Sequence, residues 1–176
     1  MRSLYDSNLL LEFQSNQIFF DTNVFIGAFS FPELFKDFFD GLKQVKCEFV
    51  TIPPVVFEFT RGTHDVESFS DREEFLRKLT TVYPIEEDGT DLREFTIVLQ
   101  KIKGDIHFTD FLLIACLYKF PSSYLLSANH KDCPIEILDR KGIITIDTDR
   151  EIRNYGIYQF SQKKFNKAAE SILEAK

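Results

Sequence analysis

Cysteine is scarce in this chain, and the few cysteines lie far apart. The 176 residues contain Cys47, Cys116 and Cys133, an odd number with no CxxC pair. This pattern favours reduced thiols in the cytoplasm over a disulfide framework. The three histidines are not spaced with the cysteines as ligands, so the sequence does not predict a structural zinc site.

The sequence also lacks an apolar run long enough to cross a bilayer. Its first sixteen residues carry Arg2, Asp6 and Glu12 around a short leucine run, which is too brief and too acidic for a signal peptide. We therefore expect a cytoplasmic protein that does not associate with membranes.

An excess of basic residues is missing as well. The formal net charge is −7, which argues against a nucleic-acid binder that relies on a basic stripe. A metal-centred enzyme needs only a local basic rim, for which Arg61, Lys131 and Arg140 are candidates because each lies next to a motif described below. The alternative is that these three are ordinary surface charges.

The residues that are present indicate a packed domain of alternating strands and helices. The chain has 20 phenylalanines and no tryptophan, and its length suits one domain. Strands are expected at 18–20, 47–52, 82–85, 124–127 and 143–146. Helices are expected at about 23–29, 32–42, 53–62, 73–79, 90–102, 108–120 and 159–175, with a loop at 63–72. The alternation predicts an α/β layer architecture with a mainly parallel sheet.

One acidic residue stands directly after a strongly apolar strand. Ile18, Phe19 and Phe20 do not alternate with polar residues, which is typical of a strand buried on both faces, and Asp21 follows at once. Open α/β folds bind ligands at this carboxyl end of the sheet. A buried carboxylate needs a counter-charge, which an arginine, a lysine or a metal ion can supply.

Two further acidic residues lie in apolar surroundings where a strand meets a helix or near a helix N-terminus. Glu58 lies in VVFEFT after the second strand, and Asp110 lies in the first turn of FTDFLLIACLY. With Asp21 they are expected at one end of the sheet, near Asn129 and Asp132 of SANHKDC. Each also has a structural interpretation: Asp21 as a helix N-cap, Asp110 as a residue stabilised by the helix dipole, and Glu58 as a half-exposed helix residue.

These acidic residues favour a magnesium or manganese site. Clustered carboxylates raise one another's pKa values unless a divalent cation lies among them. An all-oxygen ligand set suits Mg²⁺ or Mn²⁺, and such an ion can activate water and orient a phosphodiester. The sequence contains no Walker A motif, no GxGxxG run and no nucleophile elbow that would indicate a competing chemistry.

The order of these motifs resembles the PIN domain, a family of metal-dependent ribonucleases that includes the toxins of VapBC toxin–antitoxin pairs. The motifs are DTNVFI after a strand, a helix with an embedded glutamate, and TDFLLIACLY followed by YLLSANHKD. The resemblance spans roughly 18–146 and implies a three-layer α/β/α sandwich with a central, mainly parallel, Rossmann-like sheet. It implies that Asp21, Glu58 and Asp110 are catalytic residues that hold Mg²⁺ or Mn²⁺, and that Asn23 is the polar partner of Asp21.

The chain departs from the family pattern at the fourth acidic position. The family often has Thr-x-Asp after the last core strand, whereas this chain has Ser127, Ala128 and Asn129. Asn129 is expected to ligate the metal through its carbonyl oxygen or to hold a metal-bound water, and Ser127 to orient water or ligands. Asp132 either replaces part of the missing charge or is a turn residue. One metal ion and two metal ions both stay open.

A single PIN-like domain over 1–176 is expected, with a core at about 17–147. The extensions at 1–16 and after 147 either cover the core or form a dimer contact.

The leading interpretation is an endoribonuclease that cleaves RNA. If the chain is a VapC-type toxin, an antitoxin is expected to cover the site, and the resemblance implies a homodimer. A catalytically degenerate PIN scaffold that binds RNA or protein is a second interpretation, which Asn129 keeps open. An aspartate-nucleophile phosphohydrolase of the haloacid dehalogenase type is a third, although such enzymes have an aspartate where this chain has Asn23.

Overall fold

The computed structural model describes residues 2–6, 8–84, 92–148 and 150–174. Within them, seven strands form one sheet: β1 (Arg2–Leu4), β2 (Gln17–Phe20), β3 (Glu48–Thr51), β4 (Thr81–Val82), β5 (Tyr124–Ser127), β6 (Leu138–Asp147) and β7 (Ile152–Phe160). The helices of the same residues are α1 (Leu9–Glu12), α2 (Thr22–Ser30), α3 (Pro32–Gln44), α4 (Pro53–Thr60), α5 (Val66–Leu79), α6 (Arg93–Lys103), α7 (Phe108–Lys119) and α8 (Gln162–Leu173).

The sheet is parallel at its centre and antiparallel towards one edge. Its strand order is β1-β6-β7-β5-β2-β3-β4, in which β5, β2, β3 and β4 are parallel neighbours. Strands β7, β6 and β1 continue the sheet in antiparallel pairing. Helices α2 to α5 pack in one group, whereas α6 packs on α8 and α7 packs on β5 and β7. The predicted three-layer α/β/α sandwich with a mainly parallel central sheet is confirmed.

Strand β2 is buried on both faces, as its unbroken apolar run predicts. Ile18, Phe19 and Phe20 are each 0% exposed, and burial of side chains of this size contributes about 2 kcal/mol apiece. The strand pairs with β3 on one side and with β5 on the other. The backbone N–H of Asp21 donates to the carbonyl oxygen of Leu126 at 3.1 Å. The first acidic residue therefore leaves the sheet at the carboxyl end of its parallel strands.

The loop expected at 63–72 is wrong, because helix α5 begins at Val66. Asp65 is its N-cap, and the Asp65 side chain accepts a hydrogen bond from the N–H of Ser68 at 2.7 Å. Arg72 then binds back to α4 by donating to the carbonyl oxygen of Phe59 at 2.5 Å. The segment reads as polar because most of this helix faces solvent, and its helical character comes from the cap and from packing at its far end.

The C-terminal part contains a strand that sequence patterning does not predict. Strand β7 lies mostly between the strand expected at 143–146 and the helix expected at 159–175, and it includes the first two residues of that expected helix, so α8 begins only at Gln162. Strand β6 is also longer than the expected 143–146. Polar residues interrupt the apolar pattern of β7, and pairing with both β5 and β6 stabilises the strand despite them.

The N-terminal extension covers the core. Strand β1 pairs with β6, and the side chains of Leu9 and Phe13 are buried in the main apolar cluster. On the opposite edge, β4 ends at Val82, and Ile85 of the strand expected at 82–85 lies outside the described residues. The start of the helix expected at 90–102 also lies outside them, and α6 begins at Arg93.

Candidate active site

Asp21 lies buried between β2 and α2, with 5% of its surface exposed. Its carboxylate accepts hydrogen bonds from the backbone N–H of Thr22 at 2.6 Å, from Oγ of Ser127 at 2.6 Å and from the side-chain amide of Asn23. Asp21 is therefore the N-cap of α2. Burial raises the pKa of Asp21 above its ordinary value although these hydrogen bonds oppose the shift, and the nearby charge of Glu58 adds to it.

Asn23 and Ser127 join the loop after β2 to the loop after β5. Oδ1 of Asn23 accepts the N–H of Ala128 at 2.8 Å, and Oγ of Ser127 accepts the N–H of Asn129 at 2.8 Å. Ser127 is 1% exposed, and its hydroxyl donates to Asp21 while it accepts from Asn129. The orientation of this hydroxyl is thereby determined, so the two residues hold the Asp21 carboxylate in place.

Glu58 lies two residues before the end of α4, so the expectation of a position near a helix N-terminus is wrong for this residue. Its Oε2 accepts a hydrogen bond from Oγ1 of Thr22 at 2.7 Å, and its Oε1 accepts one from Oγ1 of Thr109 at 2.5 Å. Nδ1 of His107 is 3.7 Å from Oε1, and the Glu58 side chain is 17% exposed. Glu58 links α4 to the first turns of α2 and α7.

Asp110 lies in the first turn of α7 and is half-buried. Burial raises its pKa to about 6, and the negative charges of Asp21, Asp132 and Glu58 add to the shift, whereas His107 opposes it. These contributions mean that four carboxylates lie within electrostatic reach of one another. The fold thus brings together acidic residues that the sequence places in four separate segments.

Asn129 lies between two of these carboxylates. Its Nδ2 donates to Oδ2 of Asp132 at 2.7 Å and to Oδ2 of Asp110 at 3.3 Å. Nζ of Lys103 is 3.8 Å from Oδ1 of Asp132. Asn129 faces the cluster with N–H donors, so ligation of a metal through its carbonyl oxygen would require the amide to turn over. In the arrangement described, the amide offsets the repulsion between Asp110 and Asp132.

The oxygen donors of the cluster are held by hydrogen bonds. Within the described parts of the chain, no three His, Cys, Asp or Glu side chains converge as a ready metal-binding group. The donor set nevertheless fits Mg²⁺ or Mn²⁺ in its chemistry, because it consists of oxygens and because neighbouring negative charges add to the burial that raises the pKa values of Asp21 and Asp110. Asp21, Glu58 and Asp110 would have to turn from their present partners to share one ion.

Two threonines belong to the site although the sequence pattern does not assign them to it. Thr22 and Thr109 bind Glu58 through their hydroxyls, and Thr109 is 4% exposed. The signal was present, because each threonine is the neighbour of a predicted acidic residue in the motifs DTN and FTD. What the sequence does not show is that each hydroxyl binds the distant Glu58 instead of the carboxylate beside it.

The basic side chains near the cluster are not the ones expected from the sequence. Arg61, Lys131 and Arg140 are exposed, and Lys131 meets the site through its backbone, whose carbonyl oxygen accepts from Nζ of Lys103. Among the described residues, Lys103 and His107 lie beside acidic members of the cluster. Neither falls in a motif, so no sequence signal points to them.

Comparison with known proteins identifies no relative of this chain. No protein-family model, curated protein or solved structure matches the chain. The resemblance to PIN domains therefore stays a prediction that is based on the motifs. None of the described helices has both the length and the apolar character that a membrane crossing requires.

Proposed function

We propose that the chain is a Mg²⁺- or Mn²⁺-dependent endoribonuclease of the PIN type, which hydrolyses phosphodiester bonds in RNA. The observation that supports the proposal is that three carboxylates from separate elements lie within electrostatic reach of one another: Asp21 after β2, Glu58 on α4 and Asp110 on α7, together called the acidic triad. The triad lies at the carboxyl end of parallel strands, where open α/β sheets bind their ligands.

The acidic triad would hold the ion, while neighbouring side chains position its members. Ser127 holds Asp21, and Thr22 and Thr109 hold Glu58. When bound in such a site, a divalent cation supplies Lewis acidity and lowers the pKa of water. One carboxylate of the triad would accept the proton of the attacking water, and Asn129 would orient that water or a ligand of the site.

A catalytically degenerate PIN scaffold is the second candidate, and Asn129 is the observation that favours it. The amide of Asn129 contributes no negative charge and donates to Asp110 and Asp132, which stabilises the cluster without a metal ion. A protein of this kind would bind RNA or protein but would not cleave RNA. Metal affinity separates the two candidates, because a scaffold of this kind has no need to bind Mn²⁺.

An aspartate-nucleophile phosphohydrolase ranks below both candidates. Such an enzyme uses an acid/base residue two positions after the nucleophile, and here that position holds Asn23. The Asn23 amide donates to Asp21 and accepts from Ala128, so it serves as a positioning group. Covalent trapping of Asp21 by a phosphate analogue would favour this candidate over the others.

A calorimetric Mn²⁺ titration tests the proposal. The variants are Asp21→Asn and a control, Asp71→Asn, whose carboxylate is exposed on α5. We expect the wild type and the control to bind Mn²⁺ with the same affinity and Asp21→Asn to lose binding. Cleavage of labelled RNA should be lost in Asp21→Asn and in Asp110→Asn. Unchanged Mn²⁺ affinity and unchanged cleavage in Asp21→Asn would rule out the assignment.

The partners implied by the resemblance belong to the same proposal. A VapC-type toxin would be covered by an antitoxin, and a homodimer is expected by analogy with the family. The three cysteines are free and buried, which fits the reducing cytoplasm in which we expect the enzyme to act. Sedimentation of the purified chain tests the dimer, and co-expression with the product of a neighbouring gene tests the antitoxin.

A further inference from the structure

A cavity opens beside the acidic triad, on the side of Asn23. Its volume is about 450 Å³, and it is lined by Asn23, Ala128, His130, Arg153, Asn154 and Tyr155. Asn23 connects the cavity to the acidic triad, because it lines the cavity and its side-chain amide donates a hydrogen bond to Asp21. A ligand in this cavity, called the Arg153 cavity below, would therefore adjoin the site at which the proposed hydrolysis takes place.

The wall of the Arg153 cavity differs from the triad in the charged group that it contains. None of its six lining residues carries a carboxylate, and Arg153 carries a permanent positive charge. The carbonyl oxygen Oδ1 of Asn154 accepts from Oγ1 of Thr145 at 2.8 Å, so the N–H₂ group is the end that Asn154 keeps as a donor. The cavity thus offers hydrogen-bond donors to an anion.

Arg153 is held in place but keeps donors beyond its present partners. Its Nη2 is 2.6 Å from Oε1 of Glu151, and its side chain also bonds to Tyr155. A guanidinium group has five N–H donors arranged as a fork, which matches the oxygens of a phosphate. The Arg153 side chain is 38% exposed, so a ligand can reach it.

Lys103 and His107 lie against carboxylates of the acidic cluster. Nζ of Lys103 lies 3.8 Å from Asp132, and His107 lies 3.7 Å from Glu58. RNA carries a negative charge at every phosphate, whereas this chain has a net charge of −7 and four carboxylates near the site. A bound RNA strand therefore needs a cation outside the acidic cluster.

We propose that the Arg153 cavity binds a backbone phosphate next to the scissile phosphodiester, with Arg153 as the positioning residue. The inference rests on the proposed nuclease function and adds the place at which the substrate strand is held. Glu151 competes with the phosphate for the guanidinium group and so limits the affinity. Removal of the Glu151 charge should therefore strengthen RNA binding, and removal of the Arg153 charge should weaken it.

Fluorescence anisotropy with a short labelled single-stranded RNA tests this inference, with EDTA present so that no cleavage occurs. Arg153→Gln should bind the RNA about tenfold more weakly than the wild type, as expected for the loss of a charge-assisted hydrogen-bonded pair. Glu151→Gln should bind about twofold to threefold more tightly. The control, Arg77→Gln, removes an exposed arginine on α5 and should bind like the wild type.

Two kinetic readings separate positioning from a structural role. In the cleavage assay, Arg153→Gln should raise KM about tenfold and leave kcat within about twofold. In a plot of log(kcat/KM) against the logarithm of the salt concentration, the slope for Arg153→Gln should be about one unit less steep than the slope for the wild type. One phosphate contact is lost in this variant, and each such contact contributes about one unit. A merely structural effect would lower the thermal midpoint and leave the salt slope unchanged, which would overturn the inference.

The inference and the proposed function fail in different ways. If Arg153→Gln binds RNA like the wild type while Mn²⁺ binding and cleavage persist, the Arg153 cavity is not a phosphate site and the nuclease function stands. If RNA binding depends on Arg153 but the wild type binds no Mn²⁺, the phosphate site stands and the scaffold replaces the nuclease. Absence of RNA binding by the wild type would overturn the inference.

Discussion

Oε1 of Glu58 accepts a hydrogen bond from Oγ1 of Thr109 at 2.5 Å, although the two residues lie 51 positions apart in the chain. Thr22 binds the other oxygen of the same carboxylate at 2.7 Å. The two threonines belong to the first turns of α7 and α2, so Glu58 connects the start of both helices to the end of α4. The position of Glu58 in the acidic triad therefore depends on two hydroxyl groups.

Thr109→Val removes one of these hydroxyls and keeps the shape of the side chain. We expect a loss of about 1–2 kcal/mol in the free energy of unfolding, because a hydrogen bond to a charged group is lost at a site that is 4% exposed. The control is Thr60→Val on α4, whose buried hydroxyl binds the carbonyl oxygen of Val56 at 2.9 Å. Urea denaturation measures both, and equal losses in the two variants would contradict a special role for Thr109.

The pKa of Asp110 predicts how stability depends on pH. The pKa of Asp110 is raised to about 6 in the folded protein, so its ionised carboxylate destabilises the fold. This loss of stability is complete at pH values above 6. It shrinks as the pH falls and is gone below the ordinary pKa of 3.8. Asp110→Asn should be more stable than the wild type by about 1–2 kcal/mol at neutral pH, after discounting for partial solvent exposure.

The difference between Asp110→Asn and the wild type should then shrink as the pH falls from about 7.5 to about 4.5. Carboxylates with lowered pKa values, such as Asp65, make the wild type and the variant equally less stable in acid. The difference in stability between the two proteins therefore isolates the effect of Asp110. Chemical denaturation at a series of pH values measures it. A difference that stays constant over this range would show that Asp110 does not titrate with a raised pKa.

Ser127→Ala tests the network that holds Asp21. The variant removes the donor to the Asp21 carboxylate and the acceptor of the Asn129 N–H, both at a residue that is 1% exposed. We expect a loss of about 2–3 kcal/mol in the free energy of unfolding, because buried polar groups are left without partners. Ser171→Ala, at an exposed position of α8, is the control and should be neutral. A neutral Ser127→Ala would contradict this network.

The strand-and-carboxylate motifs are predictable from the sequence because they depend on local pattern. The apolar run Ile18, Phe19 and Phe20 predicts a buried strand. A charged residue directly after it, such as Asp21, is unfavourable unless a partner compensates its burial. Asp110 is visible for the same reason, at the start of a long apolar helix. In both cases the apolar neighbours make the acidic residue conspicuous without knowledge of any distant contact.

The partners of these carboxylates are not predictable in the same way, because they come from tertiary contacts. Nothing near Thr109 in the sequence indicates that its hydroxyl binds Glu58 instead of Asp110. Arg153 is hidden for a second reason, since it lies on β7, whose polar residues obscure the alternation of a strand. Pairing with two neighbouring strands stabilises β7, and one-dimensional patterning does not detect such pairing.

Asn129→Asp introduces a carboxylate between Asp110 and Asp132, and we expect opposite effects on the stability of the fold and on its Mn²⁺ affinity. Without metal, the variant loses the N–H donors to Asp110 and Asp132 and places a third charge between them, so it should be less stable than the wild type by about 2 kcal/mol at neutral pH. With the added carboxylate, Mn²⁺ affinity should rise about tenfold.

The control, Asn166→Asp, adds the same charge at an exposed position of α8 and should change neither the stability nor the Mn²⁺ affinity. Calorimetric titration and urea denaturation measure the pair of effects. A less stable variant that gains no Mn²⁺ affinity would mean that the carboxylates cannot turn towards a common ion, and would favour the degenerate scaffold over the nuclease.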